Sequence, residues 1–305
     1  MRNPGLTFLL IFIALQFYSC TKTEVENPDL TIIISGKINN YVDSLKPSMA
    51  INRVGLDQEK IFPTIDESGN FRFEFNAPVP LDAFFISDPF FIMVAKPGDS
   101  INLEINQGDT VIFSGDRSQE NRFAYDLSDK WQEKRKEFGN LQEYISVMNQ
   151  DQFIAKLDSI KSEIKRFTEG YIVKNNISDP YLSRWIRTYT MEYYYNNLSY
   201  YIFPNRDKDV DKIQSLLTKR LPLKTEDLYS AYNISSYVNY YNYAVIGREI
   251  MLKSDSINDT DSAHMHTVFA MENDTLMRQL LIAENLVGDL EKFRIEKYER
   301  FVDII

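Results

Sequence analysis

Two periods divide the chain. Up to Gly115 apolar and polar residues alternate: Phe71, Phe73 and Phe75 are separated by Arg72 and Glu74, and Ile101, Leu103 and Ile105 by Asn102 and Glu104. Successive side chains of a strand point to opposite faces, so this alternation sets one face on a core and the other in water. Further strand candidates lie at 30–35, 49–54, 83–87, 90–95 and 111–114, with turn-forming groups at Glu67-Ser68-Gly69-Asn70 and Pro97-Gly98-Asp99. Seven of the 11 glycines and eight of the 11 prolines fall at or before Gly115, which suits short strands and tight turns. About seven or eight short strands at regular spacing predict a β-sandwich.

Beyond Gly115 the step becomes that of a helix. Phe153, Leu157, Ile160, Ile164, Phe167 and Tyr171 recur every three or four residues and form one apolar stripe. Asp179-Pro180 supplies a cap and a first-turn proline for a second helix, continued by Leu182, Trp185 and Tyr189. Leu276, Leu280, Ala283, Val287, Leu290 and Phe293 make a third stripe. Residues 118–305 therefore read as about six to eight helices joined antiparallel by short connections. The fold class expected is α+β: an N-terminal antiparallel β-sandwich over 30–115, then an all-helical domain over 118–305.

The first residues follow neither period. Arg2 precedes an apolar run over 6–17, and Tyr18-Ser19-Cys20 closes it. A cation, an apolar stretch and a small residue before a break form a secretory signal. The run is too short for a single-pass anchor, which needs about 18 apolar residues. A cysteine directly after the break is the residue that lipoprotein processing acylates, its thiol taking a diacylglycerol and its new amino terminus a further chain. Two or more acyl chains hold a membrane where one is marginal. The expectation is a signal peptide over 1–19, a lipidated Cys20 and a tether over 20–29. Such a protein belongs to the cell envelope, anchored in the outer membrane and facing the periplasm or the cell surface.

Cys20 is also the single cysteine, so its acylation leaves no thiol for a disulfide, a metal or a nucleophilic attack. A length of 305 residues exceeds the usual single core, and two domains are expected. The 44% of hydrophobic residues suffices to fill them. The net charge is -10, and losing residues 1–19 removes one cation, Arg2, to leave -11. An acidic surface disfavours nucleic acid and anionic lipid headgroups as partners.

Tyrosine is concentrated in two segments, Tyr189 to Tyr201 and Tyr229 to Tyr243. With an apolar body and a polar tip, tyrosine suits half-buried helix contacts and binding grooves alike. The candidate binding residues are Tyr193, Tyr194, Tyr200, Tyr237, Tyr240 and Tyr241. His264 and His266 are the only histidines. Two positions apart on a helix they splay by about 200°, and with no cysteine beside them they read as surface residues rather than a metal site. No nucleophile elbow, phosphate-cradling glycine loop, HExxH or EF-hand spacing occurs, so no catalytic residue, metal or cofactor is assigned.

Several short elements, Ile34-Ser35-Gly36-Lys37-Ile38, Asp66 to Phe73, Ala95-Lys96-Pro97-Gly98-Asp99-Ser100-Ile101, and Phe113-Ser114-Gly115 followed by Glu120-Asn121, resemble the N-terminal half of TlpA-like thiol-disulfide interchange lipoproteins of Gram-negative envelopes. The resemblance implies a small β-sandwich of unassigned function, a helical region and then a thioredoxin domain. The chain given ends at Ile305, about where that domain would begin, and contains no Cys-x-x-Cys. Disulfide exchange needs an attacking thiolate, so no redox role carries over.

Asp-Ser or Asp-Thr followed by an apolar or small residue is similar to an O-glycosylation signal of some envelope proteins. Ser256, Ser262 and Thr275 are the candidates, against the reading that these pairs simply cap helices and turns. The function expected is a non-catalytic envelope lipoprotein that binds an unidentified envelope protein or ligand. The alternatives are a surface lipoprotein holding a small molecule or glycan in a tyrosine-lined pocket of the helices, or a truncated redox protein.

Overall fold

The computed structural model describes residues 30–42, 46–52, 58–106, 108, 110–139, 141–202, 230–242, 246 and 260–290. In it the alternating segments become β1 (Thr31–Asn39), β2 (Ser48–Ile51), β5 (Asn70–Asn76), β6 (Leu81–Ile86), β7 (Phe91–Ala95), β8 (Ser100–Asn106) and β9 (Val111–Gly115). Two strands the sequence did not announce, β3 (Glu59–Ile61) and β4 (Thr64–Ile65), are too short to carry an alternating pattern.

The strands form two sheets, ordered β4-β5-β1-β8-β9 and β3-β2-β6-β7. Ile32, Ile34, Phe73, Ile101 and Leu103 of the first sheet meet Met49, Phe85, Phe91 and Met93 of the second in one core. The sandwich is not purely antiparallel, because β1 and β8 pair in parallel while β1 and β5 are antiparallel. The chain leaves the first sheet through β6 and β7 and returns beside β1 running the same way. Gly36 sits in this parallel pair opposite Leu103, where any Cβ would collide with the Leu103 carbonyl. The Pro97-Gly98-Asp99 turn before β8 is held by Asp99, whose Oδ2 accepts the Lys96 N–H at 2.6 Å and the Arg117 Nε–H at 2.7 Å.

The helices follow: α1 (Ser118–Glu137), α2 (Leu141–Val147), α3 (Gln150–Lys174), α4 (Pro180–Ile202), α5 (Ala231–Tyr241), α6 (Thr260–Met271) and α7 (Thr275–Leu290). The stripe of α3 is buried at Phe153, Leu157, Ile160, Ile164 and Tyr171 and partly buried at Phe167, and Asn149 and Gln152 close the helix start as a capping box. At α4 the Asp179 Oδ1 accepts the Leu182 N–H at 2.7 Å, as the Asp-Pro pair implied.

The expected separation into a sandwich and an all-helical domain does not describe this arrangement. Every residue of β7 is buried, since Phe91, Met93 and Ala95 face the first sheet while Ile92 and Val94 share a core with Ala124 and Leu127 of α1 and Leu182, Trp185 and Ile186 of α4. A strand covered on both faces reads as a continuous apolar run. The structure is a mixed α and β fold in which two sheets come first and helices from the later sequence cover the second sheet.

The join is sealed by one amide. β7 is an edge strand of its sheet, and Asn121 of α1 is fully buried beside it. The Val94 N–H donates to Asn121 Oδ1 at 2.8 Å, and Asn121 Nδ2 donates back to the Val94 carbonyl at 3.0 Å. Asn121→Leu strands both backbone groups in an apolar setting and is expected to lower stability by about 2–4 kcal/mol in urea denaturation. A loss below about 0.5 kcal/mol would mean the edge finds other partners.

Candidate functional site

Along β6 the side chains facing the helices are Asp82, Phe84 and Ile86, and the cover over them changes from one end to the other. Asp82 is fully buried and accepts the Trp185 Nε1–H at 3.0 Å, whereas Ile86 is 36% exposed. On α4 the turn bearing Leu182 and Trp185 touches the sheet, and the turns after it line an open space. The result is a wedge-shaped cleft of about 830 Å³ between the second sheet and helices α1, α4 and α5. That volume lies within the range of small-molecule sites.

Helical spacing builds its wall. Tyr189, Glu192, Tyr193, Asn196 and Asn197 share one face of α4, and Ser128, Trp131, Gln132 and Arg135 one face of α1. Asn233 and Ser236 come from α5, while Phe84 and Phe90 line the sheet side. Among the described residues, Arg135 and Glu192 are the charged residues on the lining.

The polar groups are interlocked. Asn196 Nδ2 donates to Glu192 Oε1 and, at 3.0 Å, to Ser236 Oγ, while Ser236 Oγ donates to the same Glu192 oxygen at 3.2 Å. The Arg135 guanidinium lies 4.8 Å from the centre of the Tyr193 ring, against which Trp131 sits edge-on at 6.0 Å. Burial pushes the Glu192 carboxyl up to about 7, against the Arg135 charge and the Ser236 hydrogen bond, which favour the anion.

Of the tyrosines picked out by sequence, Tyr193 lines the cleft. Tyr194, Tyr237 and Tyr241 instead fill the core between helices, with exposures of 1%, 1% and 8%. Their hydroxyls find partners inside it: Tyr194 donates to Asp158 Oδ1 at 3.1 Å and Tyr241 to Glu272 Oε2 at 3.3 Å. Those three are therefore packing residues, and Tyr189 takes their place on the cleft wall. The side chains of Tyr200 and Tyr240 lie outside the described residues. Glu192, Asn196, Asn197 and Ser236 were missed, although their spacing from Tyr189 and Tyr193 along one helix face was the signal available.

His264 is a correction too. It is 7% exposed rather than a surface residue, with Nε2 2.8 Å from Asn242 Oδ1, while His266 two positions on is exposed. The splay expected for a helix puts one ring inside and the other out. Among the described residues no group of three or more His, Cys, Asp or Glu could hold a metal ion. Thr275 is exposed at the start of α7, where Asp274 Oδ1 accepts the Met277 N–H at 2.9 Å and so serves as a cap. Cys20, Ser256 and the side chain of Ser262 lie outside the described residues. Among the described residues no helix is long and apolar enough to cross a membrane.

Comparison with protein-family models, with curated proteins and with solved structures found no match.

Burial also raises Glu284 of α7 to about 7, opposed by hydrogen bonds from Asn239 and Asn242. A carboxyl whose native value stands above its ordinary 4.5 binds more protons folded than unfolded. Its contribution to stability is complete below about pH 4.5 and is lost as pH rises through about 7. Glu192→Gln should remove its share of that slope, on the order of 2–3 kcal/mol between pH 5 and 8. The check is urea denaturation of wild type and variant at both pH values, and parallel curves would contradict it.

Proposed function

We propose that this chain is a non-catalytic, lipid-anchored binding protein of the cell envelope that takes its ligand into the cleft between the second sheet and the helices. The observation that carries this reading is the cleft itself, which joins aromatic rings to a fixed set of amide, hydroxyl and carboxyl groups. Its lining is more polar than that of the usual, mainly apolar small-molecule pocket, so the reading rests on its concavity and on the polar groups that converge beside the aromatic rings. The absence of any cysteine but Cys20 from the sequence supports recognition over thiol exchange.

Cys20 holds the protein to the outer membrane in this reading, and residues 20–29 tether the folded part. The sequence of sheets followed by helices supports kinship with the N-terminal half of TlpA-like lipoproteins. The helices after Gly115 serve as the domain that completes the site. Tyr193 remains a binding residue, joined by Tyr189 and the polar group around Glu192.

Two experiments separate the parts of this proposal. Metabolic labelling with palmitate should place label on the full chain in the membrane fraction, and Cys20→Ser should abolish the label and release the protein. Native mass spectrometry of protein isolated from its own envelope should show a bound small organic molecule that is absent from Asn197→Trp, where an indole fills the cleft. An unaltered bound mass in that variant would refute the cleft as the site.

A further inference from the structure

We infer that the ligand of this cleft is a small organic carboxylate, its anionic end paired with the Arg135 guanidinium and its apolar body laid against Phe84 and Phe90. This rests on the reading of the cleft as the binding site. It starts from a cation without an anion. With 44 acidic residues against 34 basic ones, carboxylates are plentiful in this chain. In the second half of α1, Lys130 pairs with Asp126, Lys134 with Glu137 and Glu163, and Lys136 with Glu133. Arg135 stands between the last two lysines and lines the cleft, yet its guanidinium makes no ion pair or hydrogen bond among the described residues.

The guanidinium is nevertheless held. It lies 4.8 Å from the centre of the Tyr193 ring, and that ring packs on Trp131 at 6.0 Å and on Phe138 at 5.6 Å. Stacking on an aromatic face leaves the N–H edge for an acceptor, and the fork of that edge matches the two oxygens of a carboxylate. More donors stand nearby. Gln132 lies three residues before Arg135 on the same face of α1, and its amide has no hydrogen bond among the described residues. Asn197 Nδ2 has a second N–H besides the one given to the Tyr193 carbonyl at 2.7 Å. The opposite wall is apolar and open: Phe90 is 60% exposed and stacked on Phe84 at 5.2 Å, and Ile86 is 36% exposed. A molecule with one charged end and an apolar body satisfies both walls, because it covers that surface while filling the fork.

The charge balance limits the ligand to one negative charge. A phosphate dianion is best met by several cations, whereas here one guanidinium stands near one carboxyl, Glu192. Glu192 opposes an anion only while it is itself ionised. The charged group that acts on it is Arg135 of α1; Ser236 of α5 and Asn196 of its own helix are neutral, and Tyr189 and Tyr193 beside it are uncharged phenols. Burial pushes its carboxyl up to about 7, so below that value it carries a proton and does not repel the ligand. Affinity should therefore fall as pH rises through about 7.

The test is calorimetric titration of the full chain in an uncharged detergent at about pH 6. The probes are phenylacetate, hydrocinnamate and indole-3-acetate, with their amides, phenylphosphate and phenethylamine as contrasts. At least one carboxylate should bind about tenfold or more tighter than its own amide, and Arg135→Gln should erase that preference. Arg135 has no ion pair to lose, so this variant should unfold near the wild-type temperature. Phe90→Ala should weaken the same ligand about threefold. Between about pH 6 and 8 the wild-type affinity should fall about threefold or more, and in Glu192→Gln it should stay level. Amides that bind as tightly as the acids, or carboxylate binding untouched by Arg135→Gln, would overturn the pairing; loss of that binding in Asn197→Trp would still keep the cleft as the site. Tighter binding of phenylphosphate or phenethylamine than of every carboxylate would overturn the class of ligand, and a wild-type affinity indifferent to pH would place the carboxylate away from Arg135. Should none of the three acids bind, the molecule carried by the protein from its own envelope decides. A carboxylic acid that Arg135→Gln fails to retain upholds the inference, a molecule without a carboxyl overturns it but keeps the cleft, and no bound molecule overturns both readings.

Discussion

The amide of Asn121 is the point on which the two halves of the chain depend. An edge strand presents unpaired backbone groups, and proteins must cover or pair them. β7 does so with a side chain from the first helix, which bonds both the N–H and the carbonyl of Val94. Because Asn121 also donates to the Arg117 carbonyl at 3.1 Å, it fixes the helix start and the strand edge together. Arg117 in turn takes the left-handed conformation, with φ of 51°, and pairs with Asp99 at the turn before β8. Strand edge, turn and helix are therefore set by one connected group of polar contacts.

That fixed join makes the cleft possible. α4 is clamped to the sheet at one end, where Trp185 reaches Asp82 and the Tyr181 hydroxyl reaches the Leu81 carbonyl at 3.3 Å. At its other end Tyr194, Leu198 and Tyr201 belong to the core shared with α3 and α5. A helix held at both ends by different layers bridges what lies between, and the cleft is the space it spans. Between those ends α4 turns Tyr189 and Tyr193, which pack on Trp185 and Trp131, and the polar Glu192 and Asn196 toward the cleft.

Much of the scaffold was legible in the sequence because it follows simple periods. The alternation at Phe71 to Phe75 and at Ile101 to Ile105 matches β5 and β8, and the stripe from Phe153 to Tyr171 matches α3. What the periods could not convey was how the layers meet. The parallel pairing of β1 with β8 depends on a route through the other sheet, and local pattern is blind to route. The tyrosines mislead for a related reason. Tyr193, Tyr194 and Tyr195 are adjacent in sequence, yet a helix turns each by about 100°, so one lines the cleft and the next two enter the core. The polar cluster was hidden because Glu192, Asn196 and Ser236 are ordinary residues until α5 is laid beside α4.

The clasp between Asp82 and Trp185 has a temporal side, since 103 positions separate them. A ribosome adding about 5–20 residues per second makes β6 roughly 5 to 20 seconds before it makes the tryptophan. During that interval Phe84, Ile92 and Val94 belong to a sheet whose second cover does not yet exist. The order of manufacture thus runs against the order of burial, because the helix that covers this face of the sheet is made after the sheet itself.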